Sequence, residues 1–82
     1  MAKILVIGGG AMGSAFTIPC LDNKNNVTIT EPYSKQFINN LKSKNKFHSV
    51  LKIKLPKKLK FRIFSKELLK EKFNLIVIAL SL

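Results

Sequence analysis

The sequence predicts an α/β fold, a partial doubly wound parallel sheet of four strands with helices between them. Two apolar runs, residues 4–7 and 75–79, have the unbroken β-branched and leucine composition of strands that are covered on both faces. Residues 27–30 form another β-prone run, and polar turns and amphipathic stretches lie between the strands. The predicted element order is β-α-β-α-β-α-β, and right-handed crossovers then give the strand order 3-2-1-4.

A glycine-rich turn follows the first strand. Gly8, Gly10 and Gly13 have the G-x-G-x-x-G spacing of a Rossmann-like dinucleotide site. The first glycine permits the tight turn, the second lets a pyrophosphate approach the backbone, and the third lets the helix pack closely on the strand. The helix N-terminus offers unpaired N–H groups and a positive dipole end to phosphates. The alternative is that these glycines only form a tight βα turn.

An acidic residue ends the second strand. Glu31 lies 18 positions after Gly13, near the distance of about 20 at which such folds place the acid that binds the ribose hydroxyls. Pro32 keeps Glu31 extended. The carboxylate favours NAD over NADP because it would repel a 2′-phosphate, although Lys35 could partly offset this repulsion. An ordinary exposed glutamate before a turn is the alternative.

The first helix is predicted over residues 11–21, with Met12, Ala15 and Ile18 facing the sheet and a kink or tightened turn at Pro19. Phe37 is predicted to pack in the core, with an adenine platform as its alternative role. The remaining predicted elements are a helix at 35–44 capped by Ser34, a basic loop at 45–58 with a short extended piece at 50–55, a strand at 59–64, and a helix at 66–73 capped by Ser65.

Composition indicates one small domain of 82 residues with a formal net charge of +11. Fourteen of the fifteen cations are lysine and Arg62 is the only arginine. Nucleic-acid readers favour arginine with interleaved aromatic residues, so we expect no nucleic acid and attribute the charge to an AT-rich genome; a basic nucleic-acid binder is the alternative. The single cysteine, Cys20, fits a reducing cytoplasm, and no apolar run is long enough to span a membrane.

Catalytic and metal-ligating groups are not evident in the sequence. The four acidic residues form no evident pair, and His48 has no partner cysteine, histidine or nearby carboxylate. We therefore expect His48 to be a surface loop residue and predict neither a catalytic nor a metal site. Ser81 is the one residue expected near the nicotinamide end of a bound dinucleotide.

Several segments together resemble the N-terminal domain of NAD(P)-dependent glycerol-3-phosphate dehydrogenase. These are residues 4–15, with the glycine turn; 18–23, with a proline near the helix end; 46–56, a loop with a histidine that ends in Leu-Pro; and 76–81, a strand ending in Ala-Leu-Ser. The family often has a proline before that serine, where this chain has Leu80. A ketopantoate-reductase-like fragment is an alternative that leaves the Leu-Pro loop unexplained, and a stand-alone dinucleotide-binding regulatory module is another.

The resemblance implies a site and a reaction. It assigns the cofactor turn to Gly8, Gly10, Ala11, Met12 and Gly13, and the adenosine end to Glu31 and Tyr33. It implies NAD as cofactor, with NADP as the alternative, and hydride transfer to or from a small phosphorylated substrate in the complete enzyme. Residues 1–82 correspond to the front of the nucleotide-binding domain, with the catalytic C-terminal domain expected to be absent. The chain alone is therefore expected to be inactive. We also expect it to be cytoplasmic and prone to dimerise or aggregate.

Overall fold

The computed structural model of the chain describes residues 1–43 and 46–80. Strands and helices alternate from the N-terminus, and one short antiparallel ribbon interrupts the alternation. The elements are β1 Lys3–Ile7, α1 Ala11–Asp22, β2 Asn26–Thr30, α2 Lys35–Ser43, β3 Phe47–His48, β4 Ile53–Lys54, β5 Lys60–Phe61, α3 Lys66–Lys70 and β6 Leu75–Ile78.

The four principal strands form one parallel sheet in the order β5-β2-β1-β6. The strands predicted third and fourth are β5 and β6, so the predicted order 3-2-1-4 and the α/β class are confirmed. In the register, Leu5 lies between Thr28 and Ile76. The carboxyl ends of β1, β2 and β6 consequently meet at one edge of the sheet, where residues 8, 31 and 79 follow them.

The core lies mainly on one face of the sheet, between the strands, the end of α1, helix α2 and the segment of the ribbon. Val6, Val27 and Ile29 of the central strands and Ile38 of α2 are fully buried in it. Each buried Val or Ile side chain contributes about 1.5–3 kcal/mol relative to exposure. This face thus fixes α2 and the ribbon beside the carboxyl edge of the sheet.

Helix α1 turns a different face to the sheet from the predicted one. Gly13, Ser14 and Thr17 are buried, whereas Met12 is 80% exposed and Ala15 is exposed. The prediction was wrong for Met12 and Ala15, because it assigned apolar side chains to the sheet; Ile18 is half-buried. Short hydroxyl side chains can be buried here because each donates to a backbone carbonyl: Thr17 Oγ1 to Ser14 at 2.6 Å, and Ser14 Oγ to Gly9 at 3.0 Å.

The segment predicted as a basic loop contains the ribbon, in which Phe47 pairs with Lys54 and His48 with Ile53. Strand β5 has only two residues, fewer than predicted.

Ser34 and Ser65 act as the predicted caps, with their Oγ atoms accepting the N–H groups of Phe37 and Leu68 at 3.1 Å. Helix α3 ends at Lys70 and not at residue 73 as predicted, because Glu71 is already extended, with φ −70° and ψ 150°. The Asn74 N–H then donates to the Lys3 carbonyl of β1.

Candidate functional site

The glycine turn joins three strands and the first helix through contacts that admit no side chain. Gly8 has φ +128°, and a Cβ at this residue would lie 2.3 Å from the Ala79 carbonyl oxygen. Its N–H donates to the Thr30 carbonyl at 2.8 Å. A Cβ on Gly13 would lie 2.0 Å from the Gly8 oxygen. Both glycines therefore have the structural roles that their spacing predicts, and they place the start of α1 against the ends of β1 and β6.

Gly10 differs from these two glycines because it faces open space. It is exposed, and a Cβ there would meet no atom within 4 Å. As the N-cap of α1 it accepts the Ser14 N–H at 2.9 Å but offers no side-chain cap. The first N–H groups of a helix have no intrahelical acceptor. The N-terminus of α1 is thus an open, positively polarised position suited to an anion.

Glu31 lies beside this turn and is held by the backbone. Its Oε1 accepts the Gly9 N–H and its Oε2 accepts the Tyr33 N–H, each at 2.9 Å. A carboxylate has about four acceptor positions, so two remain for other donors. The Tyr33 side chain is 78% exposed. The structure therefore brings Glu31 and Tyr33 to the same edge as the glycine turn, as the predicted site requires.

His48 is not the surface residue that we expected. Its side chain is fully buried, its Nε2 lies 2.9 Å from the Gly9 carbonyl oxygen, and its Nδ1 accepts the Leu51 N–H at 3.1 Å. The ring also packs edge-on against Phe37, with centroids 5.6 Å apart. The expectation failed because β3 has two residues, too few for alternation to show which of them is buried.

A cleft of about 930 Å³ lies at the opposite, amino end of the strands. Its lining combines apolar residues with lysines and Arg62 and includes no acidic residue. One of its lysines, Lys46, donates to the Leu59 carbonyl at 3.0 Å, and burial lowers the pKa of its ammonium group. The glycine turn contributes no residue to this cleft.

Glu71 forms the principal ion-pair cluster of the described chain. Hydrogen bonding to Arg62 lowers the pKa of its carboxyl, and Lys3 at 3.3 Å acts in the same direction. This cluster ties the residue after α3 to β1 and to the segment after β5. It is structural and is separate from the glycine turn.

Within residues 1–43 and 46–80, no cluster of three or more His, Cys, Asp or Glu side chains is placed to hold a metal ion. No helix in the same part of the chain is both long and apolar enough to cross a membrane. Ser81, expected near the nicotinamide, lies outside the described residues.

The parallel sheet, the glycine turn at its carboxyl edge and the acid after β2 define a Rossmann-like nucleotide-binding domain. A family model described as the N-terminus of NAD-dependent glycerol-3-phosphate dehydrogenase matches residues 3–82. The chain belongs to this family, which confirms the resemblance seen in the sequence. The family is one of NAD-dependent oxidoreductases. Searches of curated proteins and of solved structures gave no significant match.

Proposed function

We propose that residues 10–13 bind the pyrophosphate of NAD. We further propose that the chain is the cofactor-binding part of an enzyme that transfers hydride between NAD and glycerol 3-phosphate or dihydroxyacetone phosphate. One observation carries the cofactor site: the N-terminus of α1 has no side-chain cap and opens onto free space at Gly10. Backbone N–H groups and the helix dipole at such a position favour phosphate. The description of the family to which the chain belongs supports this substrate pair.

Each residue of the proposed site has a distinct role. The N–H groups of Gly10, Ala11, Met12 and Gly13 would donate to the pyrophosphate oxygens, while Gly8 shapes the turn that presents them. A dinucleotide fits this position because the backbone is bare at Gly10 and a pyrophosphate can reach it without displacing a side chain.

The adenosine half would lie toward the end of β2. There the two unused acceptor positions of Glu31 would receive ribose hydroxyl hydrogens. The exposed ring of Tyr33 would lie beside the adenosine. When bound, NAD supplies a nicotinamide that accepts or releases a hydride; the residues of this chain bind and orient it. The negative charge of Glu31 supports NAD in preference to NADP.

Titration calorimetry with the purified chain tests the cofactor site. We expect saturable binding of NAD and of ADP, with mutual competition, and weaker binding of NADP. Circular dichroism on the same sample shows whether the protein is folded. A folded chain that binds neither NAD nor ADP would contradict the proposal.

The proposed substrate requires a separate test, because cofactor binding alone does not identify it. In the enzyme that contains this domain, oxidation of NADH should depend on dihydroxyacetone phosphate. Dihydroxyacetone without phosphate is the matched control and should give much slower turnover. Equal rates with the two compounds would contradict a phosphorylated substrate.

A further inference from the structure

Gly9, which the glycine spacing leaves unassigned, is enclosed by long-range contacts. Its N–H donates to Glu31 Oε1 at 2.9 Å, and its carbonyl accepts the Ser14 hydroxyl at 3.0 Å and faces His48 Nε2 at 2.9 Å. A Cβ on Gly9 would lie 2.4 Å from the Phe37 ring. Its backbone groups are therefore used inside the protein, and its peptide orientation is set by side chains distant in sequence.

The hydrogen bonds of His48 define which ring nitrogen carries the proton. Nδ1 accepts the Leu51 N–H, so in the neutral ring the hydrogen is on Nε2 and is donated to the Gly9 carbonyl. The ribbon holds the ring in this position, because His48 pairs with Ile53 and its carbonyl accepts the Lys52 N–H at 2.7 Å.

The orientation of the Gly9 carbonyl also fixes the direction of the Gly10 N–H. The peptide between Gly9 and Gly10 is trans, and in a planar trans peptide the N–H points opposite to the preceding C=O. With the Gly9 carbonyl directed inward to His48 and Ser14, the Gly10 N–H is directed away from them. Gly10 is the exposed residue of the turn, so this donor faces the open side.

We propose that His48 is a positioning residue, which fixes the Gly9–Gly10 peptide and so directs the Gly10 N–H toward the cofactor pyrophosphate. The inference rests on the proposed function. His48 makes no contact with the cofactor; it acts through the Gly9 carbonyl. Its effect is consequently confined to ligands that carry the pyrophosphate.

The affinities of His48 variants for NAD, ADP and AMP test this role. We expect His48→Ala to bind NAD and ADP about tenfold more weakly, which is the scale of one lost preorganised hydrogen bond. AMP, which lacks the pyrophosphate, should change by less than about twofold. His48→Gln, whose amide N–H can replace the Nε2 donor, should restore most of the affinity for ADP.

Thr17→Val is the matched structural control, because it removes another fully buried side-chain hydrogen bond, that of Thr17 to the Ser14 carbonyl. It should lower the unfolding temperature and leave the affinities for NAD and ADP unchanged. If His48→Ala weakens NAD, ADP and AMP equally, or weakens none of them in a folded protein, the positioning role is overturned.

Nitrogen-15 NMR of the histidine in the wild-type chain needs no variant and no ligand. We expect the neutral ring to carry its hydrogen on Nε2, and the Nδ1-protonated form would overturn the inference even if the variants fail to fold. Failure of the proposed function gives a different result, since the wild type would then bind neither NAD nor ADP. If the wild type binds NAD and ADP and His48→Ala binds them equally well, the positioning role is overturned and the proposed function stands.

Discussion

Gly10→Val would place a branched side chain in the open space before helix α1. The backbone there has φ −68° and ψ −173°, an extended conformation that valine adopts without strain. A Cβ meets no atom within 4 Å, so the fold loses only the N-cap preference of glycine over an aliphatic residue. That preference is worth about 1 kcal/mol, and we expect the variant to fold.

The same side chain would occupy the position proposed for the pyrophosphate. A hydrogen bond from a backbone N–H to a charged phosphate contributes about 1.5–3 kcal/mol. Displacing two of them weakens binding by about 3–6 kcal/mol, which is a loss of about a hundredfold or more in affinity for NAD. Calorimetry measures the affinity, and thermal unfolding of the same sample measures the stability.

Gly10→Ser separates cofactor loss from fold loss. A serine N-cap accepts an N–H of the first turn and raises helix stability by a few tenths of a kcal/mol over glycine, yet its hydroxyl competes for the donors that the phosphate needs. We therefore expect weaker NAD binding without lower stability. Gly13→Ala is the opposite control, because its Cβ would lie 2.0 Å from the Gly8 oxygen and should disrupt the fold. A folded Gly10→Val variant with wild-type affinity would refute the reasoning.

Three further predictions concern two charged residues and the outer strand β6. Glu31→Gln should weaken NAD relative to NADP by about tenfold, and an unchanged affinity ratio would make Glu31 a purely structural acceptor. Arg62 lowers the pKa of the Glu71 carboxyl in the folded protein, so the pair stabilises the fold at pH values above the unfolded pKa of about 4.3. Glu71→Gln should therefore be less stable than the wild type in urea unfolding at neutral pH, and this difference in stability should vanish as the pH falls through the folded pKa. In β6, which pairs only with β1 among the described strands, Ile78 is 71% exposed. Ile78→Lys should reduce self-association in sedimentation analysis, and Val50→Lys, at a residue 68% exposed away from this strand, should not.

The parts of the fold that could be predicted are those that depend on local sequence. Strands β1 and β6 were recognisable because their apolar runs contain no polar residue, and the parallel order followed from right-handed crossovers. Ser34 and Ser65 were recognisable as caps because side-chain capping involves residues only three positions apart. The glycine roles at Gly8 and Gly13 likewise depend on backbone geometry close to the turn.

The errors occurred where distant segments decide. The buried face of α1 depends on how closely its backbone approaches the glycine turn, and that approach selects Gly13 and Ser14 over the larger Met12. The position of His48 depends on a ribbon of two residues per strand, a length at which sequence periodicity carries no signal. Neither the buried face of α1 nor the burial of His48 can be predicted from the neighbouring residues in the sequence.

Gly9 shows how the local and distant contributions combine at the candidate site. The G-x-G-x-x-G spacing leaves this position free, yet the Phe37 ring excludes a side chain from it. Glu31 takes its N–H, and His48 and Ser14 face its carbonyl. Because these groups are already paired, Gly9 has no free donor for a phosphate. The proposed phosphate donors must therefore begin at Gly10, where the turn becomes exposed and α1 starts without a side-chain cap.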